Sequence, residues 1–187
     1  MKKSLGVLLI FVFILAGCSG TYMKDYVQPN GVASEARHAA VLPLVNLTNT
    51  PNAGRMVGDL LTTELYASTK FDLMESTEML KRIKGDEDDL EFVMEDAVAQ
   101  KLGNKLGVDT VIYGSVTEYQ YKRGVNQSPS VGINLRMIDV SSGKVLWASS
   151  SSKSGGCFFG CTESLNSVAQ ETLADMVTAM SSVSAQQ

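Results

Sequence analysis

The sequence has very little of what most catalytic and metal sites need. His38 is its only histidine, and one imidazole cannot by itself supply a metal-ligand set or a catalytic triad. The carboxylates are plentiful but show no spacing that selects an acid–base pair. Gly54 and Gly58 superficially suggest a phosphate loop, yet the Gly-Lys-Ser/Thr ending is missing, so they are more typical of close helix–sheet packing. We therefore expect no catalytic residue, no metal and no enzyme activity.

Positive charge and long apolar runs are also scarce. Acidic residues outnumber basic ones by 20 to 16, whereas nucleic-acid binding favours a basic stripe, so no nucleic-acid partner is expected. The apolar run Leu5–Leu15 is shorter than the ~20 residues that a permanent transmembrane helix needs. It follows Lys2 and Lys3 and ends at small residues, which is the pattern of a secretory signal.

The end of that run carries a lipid-attachment signal. Leu15-Ala16-Gly17-Cys18 resembles a bacterial lipobox, which implies that residues 1–17 are a signal peptide. The resemblance also implies an S-diacylglycerol and an N-acyl chain on Cys18, with no other cofactor. Two or more acyl chains make membrane attachment stable. Because Ser19, not Asp, follows the cysteine, we expect the periplasmic face of the outer membrane.

Cleavage would leave an acidic single-domain protein. Loss of residues 1–17 removes Lys2 and Lys3 and no acid, so 14 basic and 20 acidic side chains remain and the formal charge is −6. We expect a lipidated N terminus and short tether over residues 18–38, one α/β domain over 39–182, and a disordered tail over 183–187. Twenty residues of coil span ~25 Å, so the domain should stay close to its membrane.

The first half of the domain shows strands and helices in alternation. Ala39–Leu44 is an unbroken apolar run, typical of a strand covered on both faces. An apolar stripe at helical spacing predicts a helix over 53–68. Phe71–Met74 is predicted as a second strand and Glu75–Lys84 as a short helix. A further helix is predicted over about 95–106, ended by Gly107.

The second half predicts antiparallel strands and a last helix. Val108–Lys122 is predicted as a long strand whose apolar residues change face at Gly114-Ser115. Residues 131–140 alternate apolar and polar side chains, and a turn at Ser141–Gly143 then makes a hairpin. A final helix is predicted over about 162–180. The fold class is therefore α/β, a mixed sheet with an antiparallel C-terminal meander and with helices packed on the sheet.

Several stretches resemble one group of bacterial envelope proteins. They are Ala40–Asn46, Gly107–Val116 and Ile138–Trp147. The more specific Glu118–Gly132 is similar to the segment that joins two long strands in PelC-like proteins. The chain thus resembles the PelC-like outer-membrane lipoproteins of Pel exopolysaccharide export, whose periplasmic α/β fold is shared with CsgG and LpoB.

This resemblance implies a non-enzymatic function in export. The chain would form a homo-oligomeric ring on the periplasmic leaflet and guide a cationic exopolysaccharide to an outer-membrane porin. One alternative is an LpoB-like activator of a peptidoglycan synthase, although the tether is short for reaching the inner membrane. Another is a CsgG-like secretion or assembly lipoprotein, although no spare segments for membrane hairpins, ~9–11 residues per strand, are evident.

Acidic side chains are the candidates for guiding such a polymer. Repeated around a ring, they would focus a negative potential that attracts a polycation. The candidate residues are Asp86, Glu87, Asp88, Asp89, Glu118 and Asp139. For the cluster at 86–89 a plainer interpretation stays open, because acids before a helix interact favourably with its dipole and suit a solvated loop.

A loop before the last helix has an unusual sequence, Gly155-Gly156-Cys157-Phe158-Phe159-Gly160-Cys161. It departs from the PelC-like pattern. One interpretation is a disulfide between Cys157 and Cys161, in an oxidising compartment, that presents Phe158 and Phe159 to the membrane. Alternatively, the two rings fill a subunit interface or a gap in the core.

Overall fold

One mixed sheet with helices on both faces organises the protein. The computed structural model describes residues 21–28, 37–85, 94–122, 128–155 and 163–184. The strand order is β1-β7-β6-β5-β2-β4, and β3 pairs with β5 beside this path. The strands are β1 (Thr21–Val27), β2 (His38–Val41), β3 (Val45–Asn46), β4 (Asp72–Leu73), β5 (Thr110–Lys122), β6 (Ser128–Asp139) and β7 (Val145–Ser154).

The pairing directions confirm the expected fold class. Strands β2 and β4 are parallel to each other, and β2 and β3 both run parallel to β5. Strands β5, β6, β7 and β1 pair antiparallel in turn. The sheet is therefore mixed and has the expected C-terminal meander. The described helices are α1 (Ala53–Ser68), α2 (Ser76–Arg82), α3 (Asp96–Leu106) and α4 (Leu165–Ser184).

Strand β1 overturns part of the expected tether. Thr21–Val27 was expected to be flexible coil, but it pairs with β7 over seven residues, from Thr21 opposite Lys153 to Val27 opposite Trp147. The turn residues at 29–31 suggested a linker, whereas the β-prone residues before them satisfy the backbone donors and acceptors of β7. At the other end, α4 continues to Ser184, two residues into the expected disordered tail.

Two hydrophobic cores lie on opposite faces of the sheet. Helices α1 and α4 cover one face, where Trp147 is fully buried together with Ile133 and Leu135. Helices α2 and α3 cover the other face, but only over β2 and the adjoining ends of β5 and β6. A fully buried aliphatic side chain stabilises the fold by ~1.5–3 kcal/mol, so both layers contribute substantially.

The change of face in β5 occurs later than expected. A β-bulge lies between Val116 and Glu118, and it turns Val116 and Tyr119 toward the same core although they are three residues apart. Gly114 has a different role. A Cβ atom there would lie 2.0 Å from the carbonyl oxygen of Asn134, so glycine at 114 permits close approach of β6. The expectation of a switch at Gly114-Ser115 is wrong.

The close helix–sheet packing expected of Gly54 and Gly58 holds for only one of them. A Cβ atom at Gly54 would lie 2.1 Å from the carbonyl oxygen of Leu44, while at Gly58 the nearest heavy atom would be the Leu44 Cγ at 4.0 Å. Backbone atoms cannot rotate away as a side chain can. Helix α1 therefore packs directly against the backbone that begins at Leu44, because Gly54 has no side chain to keep the two apart.

We predict that Gly54→Ala lowers the free energy of unfolding by about 1–3 kcal/mol, the usual cost of overpacking. Gly58→Ala is the matched control on the same helix. It meets only ordinary contacts and should leave stability unchanged or raise it by up to ~1 kcal/mol through helix propensity. Urea unfolding of both variants checks this. Equal effects of the two substitutions would contradict the close contact at Gly54.

Candidate functional site

The Asp139 carboxylate accepts hydrogen bonds from the turn that joins β6 to β7. Its Oδ1 accepts hydrogen bonds from the Ser141 hydroxyl at 2.6 Å and from the Ser142 amide and hydroxyl at 2.8 and 2.7 Å. The Arg37 guanidinium lies 3.7 Å from its Oδ2. The hydrogen bond from Ser141, against the opposing effect of partial burial, lowers the pKa of Asp139 below its usual value. This carboxylate therefore has a structural role in the turn.

Glu118 is likewise engaged within the sheet. Lys122 Nζ lies 3.0 Å from its Oε1, and the Ser130 hydroxyl donates to its Oε2 at 2.8 Å. Burial alone would raise the pKa of Glu118, but hydrogen bonds from Lys122, Ser130 and Gln120 outweigh burial, and the net shift is downward. The carboxylate is ionised at neutral pH, but its negative charge is largely balanced by the positive charge of Lys122.

A charged network marks the edge of the region covered by α3. The Asp96 carboxylate, in the first turn of α3, accepts hydrogen bonds from Tyr113 Oη at 2.5 Å and from Arg136 at 2.9 Å. Burial, reinforced by the Asp96 hydrogen bond, raises the pKa of Tyr113. The hydrogen bond to Asp96 also raises the pKa of Arg136. The network joins α3 to β5 and β6.

Beyond this network, none of the described helices covers the sheet face. Cross-strand partners lie on the same face, so the registers define two rows across four strands, from β1 to β5. The first row is Tyr26, Ala148, Arg136 and Tyr113, and the second is Lys24, Ser150, Asn134 and Ser115. We call this surface the open face.

A groove of about 400 Å³ lies on the open face. The exposed Tyr26 and Lys24 line it from β1, and Met94 and Arg136 are also among its lining residues. Small polar residues form its floor. Ser150 donates from its hydroxyl to Asn134 Oδ1 at 2.6 Å, and Ser115 is 1% exposed. This concave surface brings several polar side chains together.

Comparison with known proteins assigns the chain to a family. The model of the family described as peptidoglycan-synthase activator LpoB matches residues 18–152, which is more than half of the chain. The chain belongs to the LpoB family. Comparison with the curated proteins gives no match.

Three solved structures share the fold of this LpoB-family chain. The PelC dodecamer from Paraburkholderia phytofirmans is 23% identical, with 86% of this chain and 97% of that chain covered and a TM-score of 0.63. Lipoprotein GNA1162 from Neisseria meningitidis is 22% identical, covering 82% and 100% with a TM-score of 0.55. Hypothetical protein CT253 from Chlamydia trachomatis is 16% identical, covering 80% and 98% with a TM-score of 0.54. At these identities the likeness shows the fold, which is the expected PelC- and LpoB-like one.

Several candidate residues lie outside the described residues of this LpoB-family chain. They are Cys18, Asp86, Glu87, Asp88, Asp89, Cys157, Phe158, Phe159 and Cys161. Within the described ranges no group of three or more His, Cys, Asp or Glu side chains is arranged to hold a metal ion. Across those same residues, no helix is long and apolar enough to span a membrane.

The open face was missed at the level of sequence. The alternation of Gly132, Asn134 and Arg136 along β6 placed these residues on a polar side, and that signal was available. The run Ser149–Ser152 carries no apolar alternation, so the hairpin was predicted only as far as Trp147. In the folded chain these polar positions become neighbours because β7 continues to Ser154 and β1 extends the sheet beyond it.

The lowered pKa of Asp139 predicts a pH dependence of stability. A group with a depressed folded-state pKa stabilises the fold above its unfolded value, here 3.8, and that stability is lost as the pH falls through the folded value. We predict that Asp139→Ala lowers the free energy of unfolding at neutral pH by about 1–3 kcal/mol, because several hydrogen bonds are lost. The variant should also show a shallower loss of stability below about pH 4.

Urea unfolding at a series of pH values measures both effects. Asp59→Ala, on the exposed side of α1, is the control and should change stability by less than about 0.5 kcal/mol. An unchanged acid dependence in the Asp139 variant would show that the turn does not depend on this charge.

Proposed function

We propose that this LpoB-family chain is a non-enzymatic outer-membrane lipoprotein that assembles into a homo-oligomeric ring. In this proposal the ring stands on the periplasmic leaflet and guides a cationic exopolysaccharide to an outer-membrane porin. The observation that carries it is the shared fold with the PelC protomer, which is nearly complete on both sides, at 86% of this chain and 97% of that one. That protomer was solved as a dodecamer.

The position of β1 supports a domain held against its membrane. Only Ser19 and Gly20 separate Cys18 from Thr21, the first residue of β1. Three residue steps span at most ~11 Å. If Cys18 carries the lipid, the edge of the sheet lies close to the headgroups. This arrangement suits a ring seated on the leaflet better than an activator that reaches across the periplasm.

The acids that remain for polymer attraction are those at 86–89. Glu118 and Asp139 are engaged by Lys122 and by the turn serines, respectively. A formal charge of −6 after cleavage gives each subunit an acidic balance, and a ring would repeat the cluster around one mouth. Clefts lined by one sign of charge raise the local concentration of the opposite charge.

Activation of a peptidoglycan synthase is the second candidate function. It is favoured by the family model, whose description names this activity and which matches residues 18–152. Nothing in this second candidate function requires a closed ring. Assembly state therefore separates the two candidates.

Attachment gives the first test. We predict that Cys18→Ser leaves an uncleaved or mislocalised precursor, because the thiol that accepts the diacylglycerol is gone. Membrane fractionation and intact-mass measurement check this. Cys157→Ser with Cys161→Ser is the control, since it removes the other two thiols and leaves the signal sequence unchanged. Normal outer-membrane localisation and unchanged mass of the Cys18 variant would contradict the lipoprotein assignment.

Charge and assembly give the second test. We predict that neutralising residues 86–89 to Asn and Gln reduces polymer secretion at least several-fold while the mass of the assembly stays that of a closed oligomer. The control neutralises four acids on α1 and α2 or next to α2, namely Asp59, Glu64, Glu75 and Glu78, and should secrete normally.

Secretion assays and mass measurement in detergent are the readouts. Normal secretion by the 86–89 variant would remove the guiding role of these acids. A monomer at every concentration, for the unaltered protein as well, would contradict the ring and favour the activator.

A further inference from the structure

The floor of the open-face groove holds a buried hydroxyl without a partner. The Ser115 side chain is 1% exposed, and its Oγ makes no hydrogen bond within the described residues. An unsatisfied buried polar group costs ~1–3 kcal/mol. Such a group is expected to have a partner, in ordered water or in a ligand, and Ser115 lines the groove directly.

Polar groups beside Ser115 are available to the same ligand. Asn134 uses its Oδ1 to accept from Ser150, and its amide nitrogen makes no hydrogen bond to the residues that the structure describes. Arg136 uses one guanidinium nitrogen for Asp96, and its side chain is 52% exposed. The groove therefore offers hydroxyl, amide and guanidinium groups within two adjacent rows of the sheet, ~4.8 Å from strand to strand.

An aromatic ring stands next to this polar floor. Tyr26 is 53% exposed and lines the groove from β1. Its cross-strand partner is Ala148, whose small side chain leaves one face of the ring unobstructed from β7. Tyrosine provides rigid amphipathic contact area at low conformational cost. A ring face beside hydroxyl and amide groups suits a saccharide, which has apolar C–H faces and hydroxyl edges.

The charge of the lining side chains further restricts the class of ligand that the groove could bind. Lys24 lines the groove, and no ion pair or hydrogen bond of its side chain is found in the described ranges. Arg136 is paired with Asp96. Asp25 also borders the groove, but its cross-strand partner is Ser149, so its side chain lies on the opposite face of the sheet. Among the described side chains that face the groove, the uncompensated charge is therefore that of Lys24. A cationic sugar would be repelled here, and a neutral one would not.

We propose that the open-face groove binds a saccharide segment that carries no positive charge. Ser115, Asn134 and Arg136 supply hydrogen bonds, and Tyr26 stacks on a sugar ring. The groove is formed within one chain, so the proposal does not depend on the ring, on lipidation or on the acids at 86–89.

Two oligosaccharides with one backbone test this proposal. The full chain, purified in a detergent without a sugar headgroup, is titrated by calorimetry with N-acetylchitotetraose and with chitotetraose. Mildly acidic buffer keeps the amines of chitotetraose protonated. N-acetylchitotetraose should bind measurably and chitotetraose at least severalfold more weakly, and Lys24→Gln should narrow the difference.

Serine variants separate binding from folding. Ser115→Ala should weaken binding about three- to tenfold, the effect of one lost hydrogen bond, while leaving thermal stability unchanged or higher. Ser149→Ala is the matched control, because Ser149 Oγ is also buried and without a partner among the described residues. Ser149 borders the groove, but its cross-strand partner Leu135 lies in the core under α1 and α4, so the Ser149 hydroxyl is on the opposite face and its removal should leave binding unchanged.

Tyrosine variants test the stacking. Tyr26→Ala should reduce affinity at least as much as Ser115→Ala, whereas Tyr121→Ala, which removes another exposed tyrosine from the far end of β5, should not. Absence of binding to N-acetylchitotetraose would overturn the proposal. So would equal losses in the groove variants and their controls, or tighter binding of the cationic oligosaccharide.

Discussion

The burial of β5 is the constraint on which the rest of the structure depends. This strand is paired with β6 on one side and with β2 and β3 on the other. Its side chains divide between two cores, with Ile112 and Val116 under α1 and α4 and Val111 under α2 and α3. Any shift of one residue along β5 would exchange these two sets. The register of the whole sheet therefore follows from β5.

The described helices cover the two faces unequally because their lengths differ. Helix α4 has 20 residues, and with α1 it covers one face across the meander. Helices α2 and α3 have 7 and 11 residues and cover only the first residues of β5 and the end of β6. The Asp96–Tyr113–Arg136 network closes the edge of this smaller core. Small polar side chains continue the sheet beyond it, where apolar ones would be exposed to water.

Two of the candidate acids, Asp139 and Glu118, have structural roles in the sheet, which distinguishes them from acids that could bind a partner. Asp139 lies at the end of β6, where turn hydroxyls surround it, and Glu118 lies within β5, where Lys122 and Ser130 engage it. An ion pair on the surface contributes little to stability, but it removes the carboxylate as a free charge. Asp139 and Glu118 are thus weaker candidates for attracting a polymer than the sequence suggested. The proposal of polymer guidance therefore rests on the acids at 86–89.

The fold class, most helix positions and the order of the meander could be predicted from the amino-acid sequence. These follow from local periodicity, as in α1, predicted and found over 53–68, and in α3, which ends at Gly107 in the left-handed conformation. The strand at Thr21–Val27, the bulge after Val116 and the groove with Ser115 in its floor could not be predicted in this way, because they depend on tertiary contacts. A mostly exposed edge strand lacks the alternation of buried and exposed residues, and β1 forms because β7 offers unpaired backbone groups. Likewise, Ser115, Asn134 and Ser150 become one surface only through the register of three strands, and register depends on contacts distant in sequence.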